Sequence, residues 1–264
     1  MSSPFLDMIT AKTRERVARV KTPEYMVALR KRAERARSDR RSHVFRDALS
    51  EQTRTNIIAE IKRASPSKGV INAGVDVTMQ ARRYAGGGAA AISVLTEPDH
   101  FQGTINDLIK IRTAVERPLL RKDFIVDEFQ IAEAAAAGAD AILLIVAALE
   151  QDEVSRLRIF AEEQLGLDAL VEVHGTDEMS RAVDAGATVI GVNNRDLQTL
   201  VVTLDTSREL AAFKPTNSIL VAESGISTRA EIDELRSLGF DAFLIGETLM
   251  RSADPAATLE ELGA

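Results

Sequence analysis

The sequence predicts an α/β protein: a (β/α)8 TIM barrel preceded by a helical extension. The prediction rests on three observations. Short apolar runs rich in β-strand formers alternate with helical patterns from about residue 55 onward. There are eight such runs, which is the number that closes a barrel. Polar or charged residues stand near the end of several runs, where a barrel enzyme holds its active site.

The eight strand-like runs recur at roughly 20–30 residue spacing, which favours βα units and a parallel sheet. In chain order they read NIIAEIK, AAAISVLT, RPLLRKDF, DAILLIVA, DALVEVH, TVIGVNN, SILVAES and DAFLIGE. Helical patterns lie between them, and we expect the glycines near their ends to act as helix C-caps. An open doubly wound sheet is the competing arrangement. The segment SPSKG after the first run lacks the glycine pattern of a dinucleotide loop, which disfavours that arrangement.

Residues 1–54 do not fit the repeating unit, and we expect them to form a helical extension packed on a barrel of residues 55–264, in one domain overall. One stripe of the extension is apolar at helical spacing: Leu6, Ile9, Val17 and Val20. The segment from Arg30 to Arg46 is rich in arginine. Acidic residues are interleaved with the arginines and no aromatic ladder accompanies them, so we expect a solvated helical face and not a nucleic-acid site.

Composition excludes several classes of function. The 264-residue chain has a formal net charge of -7, which does not favour nucleic acid or anionic membranes as partners. It has no cysteine, which excludes disulfides, thiolate catalysis and cysteine metal sites. The longest apolar run is too short to cross a bilayer, and the N-terminal segment has no secretory pattern. We therefore expect a cytoplasmic protein without nucleic-acid or membrane partners.

Six polar residues stand near the C-terminal ends of five strands and are expected to face the barrel mouth together: Glu60, Lys62, Lys122, Glu172, Asn193 and Glu223. A salt-bridge network is one alternative to a functional cluster, and a metal site bound by the three carboxylates is another. The two lysines argue against a metal, and convergence from five strands favours function. His174 is expected at the rim, without a catalytic role.

The loops after the seventh and eighth strands carry a second signal. We expect ESGIST and IGETLM each to begin a helix. Glycine lets backbone N–H groups approach an anion, and a helix N-terminus adds positive potential. Barrel enzymes commonly hold a substrate phosphate at these two loops.

With these motifs in place, the chain resembles indole-3-glycerol-phosphate synthase, a (β/α)8 enzyme of tryptophan biosynthesis, over about residues 55 to 250. The matching motifs occur in the family's order and spacing: IIAEIKRASPSKG, VLTEPDHFQGTINDL, LLRKDFIVDEFQI, ILLIVAAL, LVEVH, VIGVNNRDL, VAESGIS and LIGETLM. The resemblance implies ring closure of 1-(2-carboxyphenylamino)-1-deoxyribulose 5-phosphate to indole-3-glycerol phosphate, carbon dioxide and water. It implies no metal and no cofactor.

The resemblance also implies residue roles. Lys122 would protonate the ketone oxygen during ring closure, for which we expect a lowered lysine pKa. Glu172 would act as acid and base in dehydration, and Lys62 would bind the substrate carboxylate. Three further residues would orient the lysines and the hydroxyl groups: Glu60, Asn193 and Glu223.

The resemblance and the motif positions together nominate residues that bind the substrate. Ser65 and Arg195 are expected to contact it, and SPSKGVINAG is expected to form a mobile lid. The candidates for an apolar slot around the aromatic ring are Phe101, Phe124 and Leu143. The candidates for a backbone phosphate site are Ser224, Gly225, Gly246 and Glu247. The carboxylate of Glu247 is unexpected beside a phosphate, and we expect its side chain to turn away.

Three other functions stay open at this point. The isomerase that acts one step earlier on phosphoribosylanthranilate would use an Asp/Cys pair, and this chain has no cysteine. A Schiff-base aldolase would use Lys122 or Lys62 as its nucleophile. A barrel that only senses a sugar phosphate would not need the full Lys/Glu set. In each case the expected partner is a small molecule, here an anionic arylamino sugar phosphate, and we favour a monomer over an obligate oligomer.

Overall fold

The computed structural model describes residues 3–264 and contains a closed barrel of eight parallel strands. Each strand pairs with its neighbours in sequence, and the last strand closes on the first. The strands are β1 (Asn56–Ile61), β2 (Ala91–Leu95), β3 (Leu119–Lys122), β4 (Ala141–Ile145), β5 (Asp168–Val173), β6 (Val189–Asn193), β7 (Ile219–Glu223) and β8 (Ala242–Ile245). The predicted fold class and all eight predicted strands are confirmed.

Helices precede the barrel and follow its strands. The extension contains α1 (Pro4–Val20), α2 (Pro23–Arg37) and α3 (Val44–Leu49). The later helices are α4 (Val77–Gly86), α5 (Ile105–Arg112), α6 (Glu128–Ala136), α7 (Gln151–Ile159), α8 (Thr176–Asp184), α9 (Asp205–Leu210), α10 (Arg229–Ser237), α11 (Glu247–Arg251) and α12 (Pro255–Leu262). Gly138, Gly186 and Gly239 follow the C-caps of α6, α8 and α10 with positive φ, as expected of the glycines that end helices.

Alternation along the strands produces two apolar layers. Ile57 and Ala59 pack outward against the helices, whereas Ile58 belongs to the cluster inside the barrel. Glu60 continues the inward parity of Ile58 and reaches the mouth. Neighbouring strands are in register there, since Asn193 on β6 pairs with Glu223 on β7. The alternation therefore places the polar strand ends above a dry interior.

The extension closes the lower end of the barrel. Phe45 and Leu49 of α3 are fully buried in the interior cluster. Asn56, at the start of β1, donates from Nδ2 to the carbonyl oxygen of Leu49 at 2.8 Å. At the other end of the barrel, Phe5 and Leu6 of α1 line the mouth. The extension thus contributes to both ends of the barrel, not only to its outer surface.

Two details of the predicted extension are wrong. Val20 is exposed, because it is the last residue of α1 and the stripe has left the barrel by then. Arg37 is buried, and both Arg37 and Arg40 pair with the buried carboxylate of Asp140 at 3.1 and 2.8 Å. Part of the arginine-rich segment therefore fastens the extension to the barrel instead of facing solvent.

No helix within residues 3–264 has the length and apolar character needed to cross a membrane.

Candidate active site

The C-terminal ends of the strands surround a cavity of about 410 Å³. Every residue that the sequence nominated for catalysis or substrate binding lines this cavity. The two lysines and three carboxylates come from β1, β3, β5 and β7 or from the residue after β1. Among residues 3–264, no group of three His, Asp or Glu side chains is arranged as a metal site.

The charges at the end of β1 form a pair. Lys62 Nζ lies 2.5 Å from Glu60 Oε1, and both side chains are largely buried. Burial by itself would raise the pKa of Glu60, but Lys62 and Lys122 outweigh it and hold that pKa below its usual value. Gly246 leaves room for this pair, since a Cβ there would stand 2.3 Å from Glu60 Oε1 and 2.9 Å from Lys62 Nζ. The position of the Glu60–Lys62 pair therefore depends on the absence of a side chain at Gly246, directly after β8.

Lys122 occupies the centre of the cluster. Its Nζ lies 2.7 Å from Glu223 Oε2 and 3.5 Å from Glu172 Oε2. Burial alone would lower the pKa of Lys122, but Glu223, Glu172 and Glu60 together raise it above its ordinary value. The expected lowered pKa is therefore wrong, because the three carboxylates around this lysine outweigh its burial. Lys122 is an ammonium at neutral pH and a hydrogen-bond donor to both glutamates.

The two glutamates that flank Lys122 differ in charge state. For Glu172, burial is outweighed by Lys122, His174 and Asn193, which lower its pKa to about 2. For Glu223, the pKa is raised to about 7, mainly by burial. The ammonium of Lys122 opposes this rise, and the carboxylates of Glu172 and Glu60 add to it. Glu223 Oε1 also has no hydrogen-bond partner among the described residues. One carboxylate is thus firmly ionised and the other can hold a proton near neutral pH.

The loops after β7 and β8 meet at one side of the cavity. Ser224 and Gly225 adopt left-handed backbone with φ of 66° and 81°, and a Cβ at Gly225 would stand 2.6 Å from Val202 Cγ1. The prediction that ESGIST begins a helix is wrong, because α10 starts only at Arg229. IGETLM does begin α11, at Glu247. Two successive left-handed residues still form the kind of concave turn whose N–H groups suit an anion.

The Glu247 side chain has its own partners. Its Oε1 lies 3.1 Å from Arg251 Nε and 3.6 Å from Lys68 Nζ. The carboxylate is half-buried at the rim and is neutralised by these two cations. This pairing limits the repulsion that the carboxylate exerts on an anion beside Gly246.

An apolar wall faces the charges. The rings of Phe101 and Phe124 lie 6.4 Å apart, and Leu143 is buried beneath the cavity. Buried Glu97 holds the loop that carries Phe101 by accepting hydrogen bonds from the N–H groups of residues 99–101. The wall is therefore fixed by a carboxylate outside the cavity.

The first loop folds over the mouth as a short hairpin of Ala64–Ser65 and Gly69–Val70. Arg195 donates from Nη1 to Ser67 Oγ at 3.1 Å, which joins the hairpin to the loop after β6. The Ser65 hydroxyl is buried and has no hydrogen-bond partner among the described residues. A polar atom so placed is available to a ligand in the cavity.

Sequence reasoning missed four residues around the site. Leu6 was assigned only to packing and Phe5 was not singled out, because nothing local shows that α1 reaches the mouth. Glu97 has a recognisable signal, an acidic residue directly before the turn whose N–H groups it binds. His174 was placed at the rim, but its Nε2 lies 3.3 Å from Glu172 Oε1. Its strand parity with Glu172 was the available signal.

Comparison with known families gives a consistent result. A family model described as "Indole-3-glycerol phosphate synthase" matches residues 6–262. A protein of that name from Koribacter versatilis is 52% identical over 220 residues, which cover 83% of this chain and 84% of the relative. One from Roseiflexus sp. (strain RS-1) is 47% identical over 253 residues, 93% of this chain and 92% of the relative.

Solved structures show likeness of fold alone. 3-Hexulose-6-phosphate synthase from Salmonella typhimurium superposes with a TM-score of 0.63 at 16% identity, over 79% of this chain and 96% of that one. Thiamine phosphate pyrophosphorylase from Pyrococcus furiosus gives a TM-score of 0.58 at 18% identity, over 79% and 93% of the two chains.

Proposed function

The chain belongs to the indole-3-glycerol phosphate synthase family, a carboxy-lyase family of tryptophan biosynthesis, and from this premise we propose how its residues divide the reaction. The enzyme closes the indole ring of 1-(2-carboxyphenylamino)-1-deoxyribulose 5-phosphate and releases carbon dioxide and water. The observation that carries the assignment of residues is the position of Lys122, held as an ammonium between Glu172 and Glu223 inside the cavity.

Lys122 acts as the general acid of ring closure. As the aromatic carbon attacks the ketone, the carbonyl oxygen becomes an alkoxide and takes a proton from Nζ. Three carboxylates keep the lysine protonated until that charge develops. The same charge state disfavours a Schiff-base aldolase, which needs a neutral amine as nucleophile.

Lys62 binds the carboxylate that leaves as carbon dioxide. Its ammonium is fixed by Glu60, so little side-chain freedom is lost when an anion binds. The aromatic ring lies against the wall formed by Phe101, Phe124 and Leu143. The substrate carboxylate and the aromatic ring that carries it thus meet a cation after β1 and an apolar wall that begins after β2, the strand paired with β1.

Glu172 serves the dehydration that completes the indole. With its low pKa it begins as a base that removes the proton from the carbon beside nitrogen. Glu223, whose pKa is about 7, holds a proton that can follow the departing hydroxyl through Lys122. Asn193 orients Glu172 from β6.

The phosphate is held by backbone N–H groups of Ser224, Gly225, Gly246 and Glu247. Arg195 and Ser65 approach the sugar from the rim and the first loop. What supports this placement is the concave left-handed turn after β7 and the helix start after β8, which lie on one side of the cavity. A hydrogen bond from Thr248 Oγ1 to the Ile226 carbonyl oxygen, at 3.2 Å, ties the two loops together.

A single-turnover experiment separates the residue roles. Purified protein is mixed with synthetic substrate, and carbon dioxide release is followed beside the appearance of indole fluorescence. The unmodified chain should give both signals. Glu172→Gln should release carbon dioxide promptly and form indole slowly, whereas Lys122→Ala should give neither. Equal slowing of both signals in Glu172→Gln would place Glu172 before decarboxylation and overturn the assignment.

A second experiment addresses the aldolase alternative. Borohydride is added during turnover, and the protein mass is measured. We expect no covalent adduct at Lys122 or Lys62, because neither forms an imine in the proposed reaction. A trapped adduct at either lysine would favour the aldolase.

Four further properties are proposed on sequence grounds alone. We expect a monomeric, cytoplasmic enzyme that needs neither metal nor cofactor and does not bind nucleic acid. The net charge of -7 disfavours nucleic acid as a partner, and the absence of cysteine fits a reducing compartment. The absence of a metal and a cofactor is what the family resemblance implies. The division into an extension of residues 1–54 and a barrel of residues 55–264 likewise stays a prediction.

A further inference from the structure

A histidine stands behind the proposed acid–base glutamate. His174 Nε2 lies 3.3 Å from Glu172 Oε1, on the opposite side of that carboxylate from Lys122. Its other ring nitrogen, Nδ1, lies 3.1 Å from Glu178 Oε2. Glu178 also accepts a 2.8 Å hydrogen bond from the backbone N–H of His174. The imidazole is therefore clamped between two carboxylates, one in the cavity and one in the first turn of α8.

Exposure increases along this row. The side chain of Glu172 is 3% exposed, that of His174 13%, and that of Glu178 24%. A second, smaller cavity of about 150 Å³ opens beside the row and is lined by His174, Glu178, Asn193 and Arg195. The row thus leads from the buried ion cluster toward solvent.

The charged groups around His174 are unequal in sign. Glu172 faces it from β5 and Glu178 from α8, and Asp196 lines the same small cavity after β6. Arg195 is the one cation that shares this cavity among the described residues. Burial alone would lower the pKa of His174, but Glu172 and Glu178 raise it to about 10. The ring is therefore an imidazolium at neutral pH. Its Nδ1 forms a hydrogen bond with Glu178, whereas Nε2 makes an ion-pair contact with Glu172 at 3.3 Å that does not have hydrogen-bond geometry.

This arrangement explains why two glutamates on the same lysine behave differently. Glu172 has a cation at each oxygen, Lys122 at Oε2 and His174 at Oε1. Glu223 has Lys122 at Oε2 and no hydrogen-bond partner at Oε1 among the described residues. The second cation is one difference between the two sites, beside Asn193 near Glu172 and the Glu60 carboxylate near Glu223, and it favours Glu172 as the ionised base.

We propose that His174, braced by Glu178, is a positioning residue that fixes the Glu172 carboxylate and keeps it ionised as the base of the dehydration step. The inference rests on the proposed function of Glu172. His174 does not touch the substrate and acts only through Glu172, and Glu178 acts only through His174. No proton needs to leave the imidazolium for this role.

The first test is a pair of histidine variants. Glutamine places an N–H donor where Nε2 stands, whereas asparagine places one where Nδ1 stands. We expect His174→Asn to lower kcat by about 10- to 100-fold, less than the roughly 100- to 10,000-fold loss typical of removing an acid–base group itself. His174→Gln should recover part of that loss, and KM should stay nearly unchanged in both. If asparagine were the better replacement, bracing of α8 would be the function and the proposal would fail.

The pH dependence of kcat distinguishes this role from simple packing, because loss of packing alone would not shift its acidic or basic limb. Without the imidazolium the pKa of Glu172 rises, so the acidic limb of kcat should shift to higher pH in His174→Gln. In Glu178→Gln the pKa of His174 should fall instead, so the basic limb should shift to lower pH. The double variant should resemble His174→Gln alone, because Glu178 acts through the ring. Unmoved limbs in both single variants would overturn the proposal.

Two controls separate failure of this inference from failure of the proposed function. Asp177→Asn changes the exposed acidic neighbour of Glu178 on α8 and should leave kcat and both limbs unchanged. The chain has three histidines, so their ring signals can be titrated by NMR without turnover. His174 should stay protonated above pH 9 and should titrate lower in Glu178→Gln. An ordinary histidine titration would refute the clamp, and a confirmed clamp with unchanged kinetics would refute the positioning role of His174. The Glu172→Gln single-turnover experiment tests the role of Glu172 independently.

Discussion

Lys122 on β3 and Glu223 on β7 meet at the barrel mouth with 2.7 Å between Nζ and Oε2, while the other oxygen of Glu223 has no hydrogen-bond partner among residues 3–264. A buried carboxylate with a hydrogen-bond partner at only one of its two oxygens costs free energy of folding if the ion pair is purely structural. The same group is useful if it must receive and release a proton near neutral pH. This pair therefore indicates a chemical role for the cluster and leads to the predictions that follow.

Replacing Lys122 with alanine should abolish ring closure. Loss of a general acid lowers kcat by roughly 100- to 10,000-fold, and substrate binding should be largely retained because Lys62 and the phosphate loops are untouched. Indole fluorescence measures the rate, and calorimetry measures binding. Lys110→Ala, on the exposed face of α5, is the matched control. Near-normal turnover by Lys122→Ala would contradict the assignment.

Replacing Lys62 with alanine should affect binding as well as rate. The variant loses the cation that meets the substrate carboxylate and leaves Glu60 without its 2.5 Å partner. A lost charge-assisted hydrogen bond corresponds to a rise in KM of about 10- to 100-fold. Steady-state kinetics would show the two effects together. A fall in kcat at constant KM would assign the carboxylate to another residue.

Gly246→Ala should lower kcat/KM without unfolding the protein. The added methyl would stand 2.3 Å from Glu60 Oε1, so the Glu60–Lys62 pair must move. Gly86→Ala is a suitable control, since a Cβ at Gly86 meets nothing within 4 Å and α4 is helical there. Circular dichroism and indole fluorescence together distinguish misplacement of the pair from loss of fold. Equal kinetics for the two alanine variants would refute this use of glycine.

Asp140→Ala should destabilise the fold strongly. This buried carboxylate accepts hydrogen bonds from Arg37, Arg40 and Arg112, and from the backbone N–H of Leu119. Removing one partner from a buried ion network costs about 3–5 kcal/mol, because the remaining charges are left unpaired. Urea denaturation measures the loss. Asp39→Ala, in the loop after α2, should change the free energy of unfolding little, and a similar loss in both variants would argue against the network.

Acid should weaken the folded state partly through Glu172. Its folded pKa of about 2 lies below its ordinary value of 4.5, so its ionisation contributes stability above pH 4.5 that is lost as the pH falls toward 2. Glu172→Gln has no such group to titrate. The difference in free energy of unfolding between the two proteins should therefore shift in favour of the variant between pH 4.5 and 2. A difference independent of pH in urea titrations would refute the lowered pKa.

Local sequence patterns were sufficient to predict the barrel. Each strand is a short apolar run, and five of the eight carry a polar or charged residue at the mouth. The alternation of side chains depends only on neighbours two positions apart. The same parity placed Glu60, Lys122, Glu172 and Glu223 at one mouth. The two-residue period of a strand is enough to predict that these four side chains face the mouth, and all four line the cavity there.

Two of the features that were missed depend on contacts between distant segments. The raised pKa of Lys122 requires carboxylates from three other strands, and the burial of Arg37 requires Asp140 more than 100 residues away. The other two are local. Ser224 and Gly225 turn left-handed, so the helix expected from ESGIST begins only after its last residue, Thr228, which is the N-cap of α10. The contact of His174 with Glu172 follows from strand parity, and Glu178 lies four residues further along the chain.

Because Phe45 and Leu49 of α3 fill the lower end of the barrel, the cavity opens to solvent only at the mouth within the described residues. In the proposed reaction the substrate enters and the indole product leaves through this one opening. Carbon dioxide formed in the proposed reaction leaves by the same opening, so product that stays bound at the mouth competes directly with the next substrate.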